Sequence, residues 1–224
     1  MHRQLTISVV IPCYNEEQGV TAVIRRLPPA VDEVVVVDNA STDRTADAAR
    51  SLGARVVVEA RRGYGAAYQS GLRAATGDVI VTLDGDGTYP PEEIPRLVDV
   101  LVDRGWEFLS ASRFPLTHAA AMPWSNRLGN AILTVATALL FWKPMRDSQS
   151  GMWVFRRAVL GRLQPKSDGM AFSEEIKLEA LMRGVRFGEA HIPYGTRIGE
   201  AKLQKWRDGW ENLVFLVRKR IGRV

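Results

Sequence analysis

Four short apolar runs, Ile7 to Ile11, Val34 to Val37, Arg55 to Val58 and Val79 to Leu83, are separated by stretches of helical periodicity. The first two are rich in Val and Ile without clean alternation, the pattern of strands covered on both faces. Between them, Glu16 to Leu27 reads as a helix stopped by Pro28 and Pro29. "STDRTADAARSLG" opens with the cap candidates Ser41, Thr42 and Asp43 and stops at Gly53, and "YGAAYQSGLRAATG" gives a third helix ending at Gly77. A β-α-β-α-β-α-β order predicts an α/β protein: a mostly parallel sheet with helices on both faces. Ligands of such sheets sit beyond the C-terminal strand ends. Three polar clusters fall on that edge: "PCYNEE" after Ile11, Asp38-Asn39 after Val37, and Asp84 to Asp86 after Leu83.

The second half is less regular. Pro91 to Arg104 predicts a helix with proline at its start and acids in its first turn. Glu107 to Ala111 and "QSGMWVFRR" predict strands, Phe172 to Arg183 a helix, Val185 to Pro193 a late strand, and Lys202 to Arg218 a closing helix. No repeat or linker divides the 224 residues, so one domain is expected, with a nucleotide-binding half (1–111), an acceptor half (112–200) and a C-terminal helix (201–224). The longest apolar stretch, Ala131 to Trp142, has twelve residues. A spanning helix needs about twenty, so a buried or interfacial helix is expected. The polar turn after the first apolar run makes a first strand the expected reading there rather than a secretory signal. A formal charge of +5 suits a phosphate-bearing ligand or anionic surface, and no aromatic-basic repeat points to nucleic acid. The single cysteine, Cys13, excludes an internal disulfide and a thiolate metal cluster.

The chemistry concentrates in "VTLDGDGTYPPEE", residues 81–93. Two aspartates one residue apart on a loop leaving a strand can share Mg²⁺ or Mn²⁺, completed by substrate oxygens. The competing reading is a solvated turn that caps the next helix. Gly63 and Gly65, behind Arg61 and Arg62, form an anion cradle or merely a tight helix entry. No P-loop, dinucleotide fingerprint, zinc motif or nucleophile elbow occurs. Arg113, Arg127, Arg197, Lys202 and Lys205 would form a basic wall if the fold returned them to the carboxylate edge. In the last helix, Leu203, Trp206, Trp210, Leu213, Val214 and Val217 make one apolar stripe. Phe215 and Leu216 fall off it beside "VRKR", the pattern of a membrane-surface helix, against which core packing or a homodimer contact stands as the rival.

These segments resemble the inverting GT-A-type family 2 glycosyltransferases, and within them the dolichyl- or polyprenyl-phosphate sugar synthases. "VVIPCYNEE", "VVVVDNASTDRT" and "RRGYGAAYQSGLRAATGDVIVTLDGDGTYPPEEIP" are similar to the family's nucleotide-side elements, the last ending in a D-x-D. "SRF", "NRLGN", "RDSQSGMWVFRR", "SEEIKLEA" and "YGTRIGEAKL" are similar to the acceptor side of the polyprenyl-phosphate branch. The resemblance implies that Pro12, Tyr14, Asn15, Glu16 and Asp38 line the base and ribose pocket, with Arg61, Gly65 and Gly85 also on the donor side. It implies Asp84, Asp86 and Thr88 around the metal, Asp86 the firmest ligand. Arg113 and Arg127 would grip the acceptor phosphate together with Lys202, Arg197 would meet the donor diphosphate or the acceptor phosphate from the other side, and Asp147, Ser150 and Gly151 would form a turn beneath the sugar. Asn39 and Ala201 depart from the usual Asp and Ser.

The activity so implied is single-displacement transfer of a hexose, from GDP-mannose or UDP-glucose, to a polyprenyl or dolichyl phosphate. The enzyme would be peripheral at the cytoplasmic face of a membrane, in a short form without transmembrane helices, with a homodimer or separate membrane partner compatible. Two rivals stand beside it. One is a family 2 enzyme acting on a soluble sugar, glycan or peptide, with Glu174, Glu175 or Asp147 as base. The other is a non-catalytic module that binds nucleotide or anionic lipid.

Overall fold

In the computed structural model, which describes residues 1–199 and 205–222, seven strands form one sheet. The strands are β1 (Ile7–Cys13), β2 (Glu33–Asp38), β3 (Arg55–Val58), β4 (Val79–Thr82), β5 (Phe108–Ser112), β6 (Trp153–Arg156) and β7 (Phe187–His191). The helices are α1 (Glu17–Arg25), α2 (Thr45–Ser51), α3 (Tyr64–Ala74), α4 (Ile94–Asp103), α5 (Trp124–Phe141), α6 (Phe172–Met182) and α7 (Lys205–Arg220). The sheet order is β3-β2-β1-β4-β6-β5-β7. Val9, Val10, Ile11, Val35 to Val37 and Val79 to Val81 are all fully buried, because helices cover both faces of the sheet. That explains the unbroken Val/Ile runs.

Two features of the topology build the cleft. β1 pairs in parallel with β2 on one side and β4 on the other, so the strand order reverses at β1 and leaves a crevice past Pro12 and Cys13. β6 runs antiparallel between β4 and β5. Its N-terminal end therefore meets the C-terminal ends of its neighbours, which places the Asp147–Gly151 turn beside Asp84.

The apolar stretch expected to be buried or interfacial lies within α5. That helix buries Leu133 and Thr137, but exposes Trp124, Leu128, Ile132, Val135, Leu139 and Trp142 along one side. No helix among the described residues is long and apolar enough to cross a membrane. The reading of α7 needs correction. Leu216 is fully buried against Leu133, Met145 and Leu178, whereas Trp210 and Val217 are exposed. Spacing offered α7 one apolar stripe with Leu216 outside it, and packing against α5 instead turned inward the face containing Leu213 and Leu216.

Candidate active site

One cleft of about 790 Å³ runs along the C-terminal strand edge. Its centre is the pair Asp84 and Asp86, delivered by the loop that leaves β4. Asp84 Oδ1 accepts hydrogen bonds from Tyr64 Oη at 3.0 Å and Tyr68 Oη at 3.3 Å. Burial raises both tyrosines well above their ordinary range, and the Asp84 charge adds to this, so they remain donors. Asp84 is itself pushed up to about 7, first by burial and then by the neighbouring Asp86 charge. Asp86 Oδ1 accepts from Thr88 N at 3.0 Å and Thr88 Oγ1 at 2.7 Å, and Oδ2 accepts from Arg197 at 2.8 Å. Thr88 thus orients Asp86, and its hydroxyl proton points at that carboxylate.

The pair fits a divalent cation. Two crowded carboxylates, one with its pKa lifted by the other's charge, form an anionic centre that a cation relieves. The space beside Asp84 exists because residue 151 is glycine: a Cβ there would lie 2.5 Å from Tyr64 Oη and 3.3 Å from each Asp84 oxygen. Among the described residues no cluster of three or more His, Cys, Asp or Glu could hold a metal, so the remaining ligands must be substrate oxygens and water.

At the end of the cleft where the nucleoside is expected, Tyr14 and Arg62 stack, with the guanidinium carbon 3.9 Å from the ring centroid. Pro12, Glu16 and Gly85 line the cleft, whereas Asn15 ties two loops together: its N–H reaches Ser41 Oγ and its Oδ1 accepts from Thr42 N. Asp38 Oδ1 accepts from Ser41 N in the same junction. Asn39 holds the basic loop, since its Nδ2 donates to the carbonyls of Glu59 and Arg61 while its Oδ1 accepts from Gly63 N. An aspartate cannot make the two donations, which gives this departure from the family pattern a physical reason. Arg61 pairs with Glu59 and Asp168. Gly65 lies under the loop before α6, where a Cβ would come within 2.1 Å of Ser167 O. Of the anion-cradle and tight-entry readings, the geometry favours the second.

At the end where the acceptor is expected, Arg113 and Asp147 form a buried two-pronged pair, Nε to Oδ2 and NH2 to Oδ1, both at 2.8 Å. Burial opposes both charges, yet each holds the other ionised: Arg113 lies well above its usual range and Asp147 below. Arg127 is not part of the cleft lining and donates to the carbonyls of Met122 and Ala119, in the segment before α5. Ser150 donates to Ala111 O, and its own carbonyl accepts from Lys177 Nζ at 2.8 Å. Lys202 lies outside the described residues. The sequence reading missed Tyr64, Tyr68 and Tyr89, which hold Asp84 and the N–H of Gly151. It also missed Gln149, which donates to Glu174 and accepts from Asn212. The signal for the tyrosines was i, i+4 spacing at the start of a helix opening on the cleft.

Lys177, which sequence reading also missed, is fully buried, and burial pushes it down to about 7 from 10.5. The folded state disfavours its proton, so its contribution to stability is full above 10.5 and is lost as pH falls through about 7. Replacing Lys177 with Met is expected to remove this pH dependence between those values, read as melting temperature against pH for the two proteins.

The sequence matches the profile described as Glycosyl transferase family 2 over residues 8–163. The chain belongs to this family. A dolichyl-phosphate hexose transferase of Haloferax volcanii is 35% identical, over 91% of this chain and 89% of that one. A low-salt glycan biosynthesis hexosyltransferase of the same organism is 33% identical over 95% of this chain, which spans 53% of it. Among solved structures, glucosyl-3-phosphoglycerate synthase of Mycobacterium tuberculosis with Mg²⁺ and UDP superposes with a TM-score of 0.78 at 26% identity, covering 98% of this chain and 80% of that one. The same enzyme with Mn²⁺, UDP-glucose and phosphoglyceric acid gives 0.77 at 25% identity, with the same coverage.

This glycosyltransferase therefore has the GT-A fold and is a catalytic, divalent-metal-dependent transferase. The expected polyprenyl- or dolichyl-phosphate acceptor does not stand, nor do the lipid partner and membrane-surface attachment that went with it. The solved synthase, matched over 98% of this chain, holds a soluble phosphorylated acid in company with UDP-glucose. Of the expected readings, transfer to a soluble acceptor is the better supported.

Proposed function

We propose that this glycosyltransferase moves a hexose from a nucleoside-diphosphate sugar, UDP-glucose foremost, to a soluble acceptor bearing a phosphate. The observation that carries the reading is the single cleft with two unlike ends. The donor end offers Tyr14, Arg62 and the Asp84–Asp86 pair, and the acceptor end offers the amides of Asn126, Asn130, Gln149 and Asn212 with Arg113 beside them. These amides suit a hydroxylated acceptor, and the Arg113 guanidinium lining the same cleft is held in place by Asp147. Kinship within the family runs toward the branch containing the dolichyl-phosphate hexose transferase, with the acceptor changed.

Asp84 and Asp86 would hold the cation, which when bound neutralises charge on the departing diphosphate. Tyr64 and Tyr68 fix Asp84, and Thr88 fixes Asp86, so the carboxylates need no reorganisation during the reaction. The three acids expected as candidate bases are otherwise engaged. Asp147 pairs with Arg113, Glu175 with Lys219 and the N–H groups of Lys166 and Ser167, and Glu174 lies fully buried behind Gln149. Transfer to an acceptor hydroxyl releases its proton, which the acceptor's own phosphate, ionised at neutral pH, would take; the rest of catalysis depends on alignment and charge balance.

The test is a transfer assay with UDP-glucose and GDP-mannose against phosphoglycerate, an unphosphorylated glycan and a short polyprenyl phosphate, with Mn²⁺ or EDTA. Mn²⁺-dependent product on the soluble phosphorylated acceptor is expected. Product confined to the polyprenyl phosphate would refute the proposal.

A further inference from the structure

Arg197 links carboxylates from two strand ends. Its NH1 donates to Asp86 Oδ2 at 2.8 Å, and its NH2 donates to Glu16. The backbone carrying it is pinned to the segment after β4 at two points, Gly195 N to Thr88 O at 2.9 Å and Ile198 N to Asp86 O at 2.8 Å. The side chain lines the cleft and is 30% exposed. A pinned backbone with a long, partly exposed side chain allows the guanidinium to change partner by rotamer alone, without loop movement.

We propose that Arg197 is a built-in counterion of the metal site, exchanged from Asp86 and Glu16 to the donor's diphosphate when cation and nucleotide enter together. This rests on the donor reading above. Glu16, Asp84 and Asp86 line the same end of the cleft, and Arg197 pairs with two of them. A bare divalent cation competing for Asp86 sets its charge beside a guanidinium deprived of its partner, an unfavourable contact in a partly dehydrated cleft. A diphosphate arriving with the cation gives that guanidinium a new two-pronged acceptor. Arg197 thereby disfavours the cation alone and favours the pair, so that each raises the affinity of the other.

The experiment is Mn²⁺ titration of the full chain with and without UDP, reading free Mn²⁺ by electron paramagnetic resonance, for wild type, Arg197→Gln and Arg197→Lys. Circular dichroism melts establish that the variants are folded. Arg197→Gln is expected to bind Mn²⁺ alone about tenfold more tightly than wild type, and UDP in the presence of Mn²⁺ about tenfold more weakly. Arg197→Lys retains the charge without the fork. It is expected to stay near wild type for Mn²⁺ alone while losing UDP affinity. Unchanged or weaker binding of Mn²⁺ alone by folded Arg197→Gln overturns the inference. Failure of wild type to bind UDP with Mn²⁺ is a different result: it removes the donor reading and the inference with it.

Discussion

Replacing Asp86 with Ala is expected to lower metal-dependent transfer by about 10²–10³-fold or more, the scale of losing one preorganised charge-stabilising group. Three features of its surroundings support so large an effect. Asp86 is oriented by two bonds from Thr88, it is paired with Arg197, and among the described residues no group of three or more His, Cys, Asp or Glu could hold a metal in its stead. The fold should survive, because the loss relieves Asp84 of the neighbouring charge that helps to lift it to about 7. The sign follows directly. The metal-free folded state holds a proton on Asp84 that the unfolded chain, with a model value of 3.8, has released, so its stability declines as pH rises from about 4 to about 7. In Asp86→Ala that decline should shrink. In wild type, Mn²⁺ affinity should fall as pH drops below about 7, because proton and cation compete. Transfer rates at saturating Mn²⁺, with melting temperatures across pH, check all three statements. A variant that keeps most of its metal-dependent turnover would remove Asp86 from the site.

The second large effect concerns stability. Replacing Arg113 with Met leaves Asp147, fully buried, without the guanidinium that keeps it ionised. Removing one partner of a buried pair costs about 3–5 kcal/mol. For a chain of this size that lowers the melting temperature by on the order of 10 °C. Asp147 Oδ2 also accepts Arg113 N at 3.0 Å and Oδ1 accepts Gln149 N at 3.2 Å, so the same carboxylate shapes the turn under Asp84. Adding Asp147→Asn to Arg113→Met removes the stranded charge and keeps an acceptor for one of those two N–H groups, a smaller loss than a buried unpaired charge. The double variant is therefore expected to melt higher than the single one. Denaturant titrations of both variants decide the point, and a double variant less stable than Arg113→Met would show that charge is not what the pair contributes.

Arg113 illustrates why parts of the site were hidden in the sequence. It reads as a surface cation at the end of a strand, and as such was assigned to an acceptor phosphate. Its Nε and NH2 instead face a residue 34 positions away, across an antiparallel strand whose direction no local pattern encodes. Arg127 and Arg61 were similarly plausible, but short bridges to nearby carbonyls and carboxylates hold them elsewhere. In α6, sequence makes Glu174 and Glu175 candidate bases and gives Lys177 and Glu179 no role, yet all four are buried. Their partners come from the loop before α6, from the Asp147–Ser150 turn and from α7. A polar residue in sequence carries no mark of whether a distant partner will take it inside.

Local chemistry alone set the alternation of strand and helix, the apolar runs that must be covered on both faces, and the position of Asp84 and Asp86 at a ligand-bearing edge. These follow from side-chain periodicity and from the rule that parallel sheets bind at their C-terminal ends. Tertiary structure decided the direction of β6, the inward face of α7, the burial of the Arg113–Asp147 pair and the seating of Arg197 between Asp86 and Glu16. Each depends on which surface a distant segment presents, and that is fixed only when the whole sheet closes around its core.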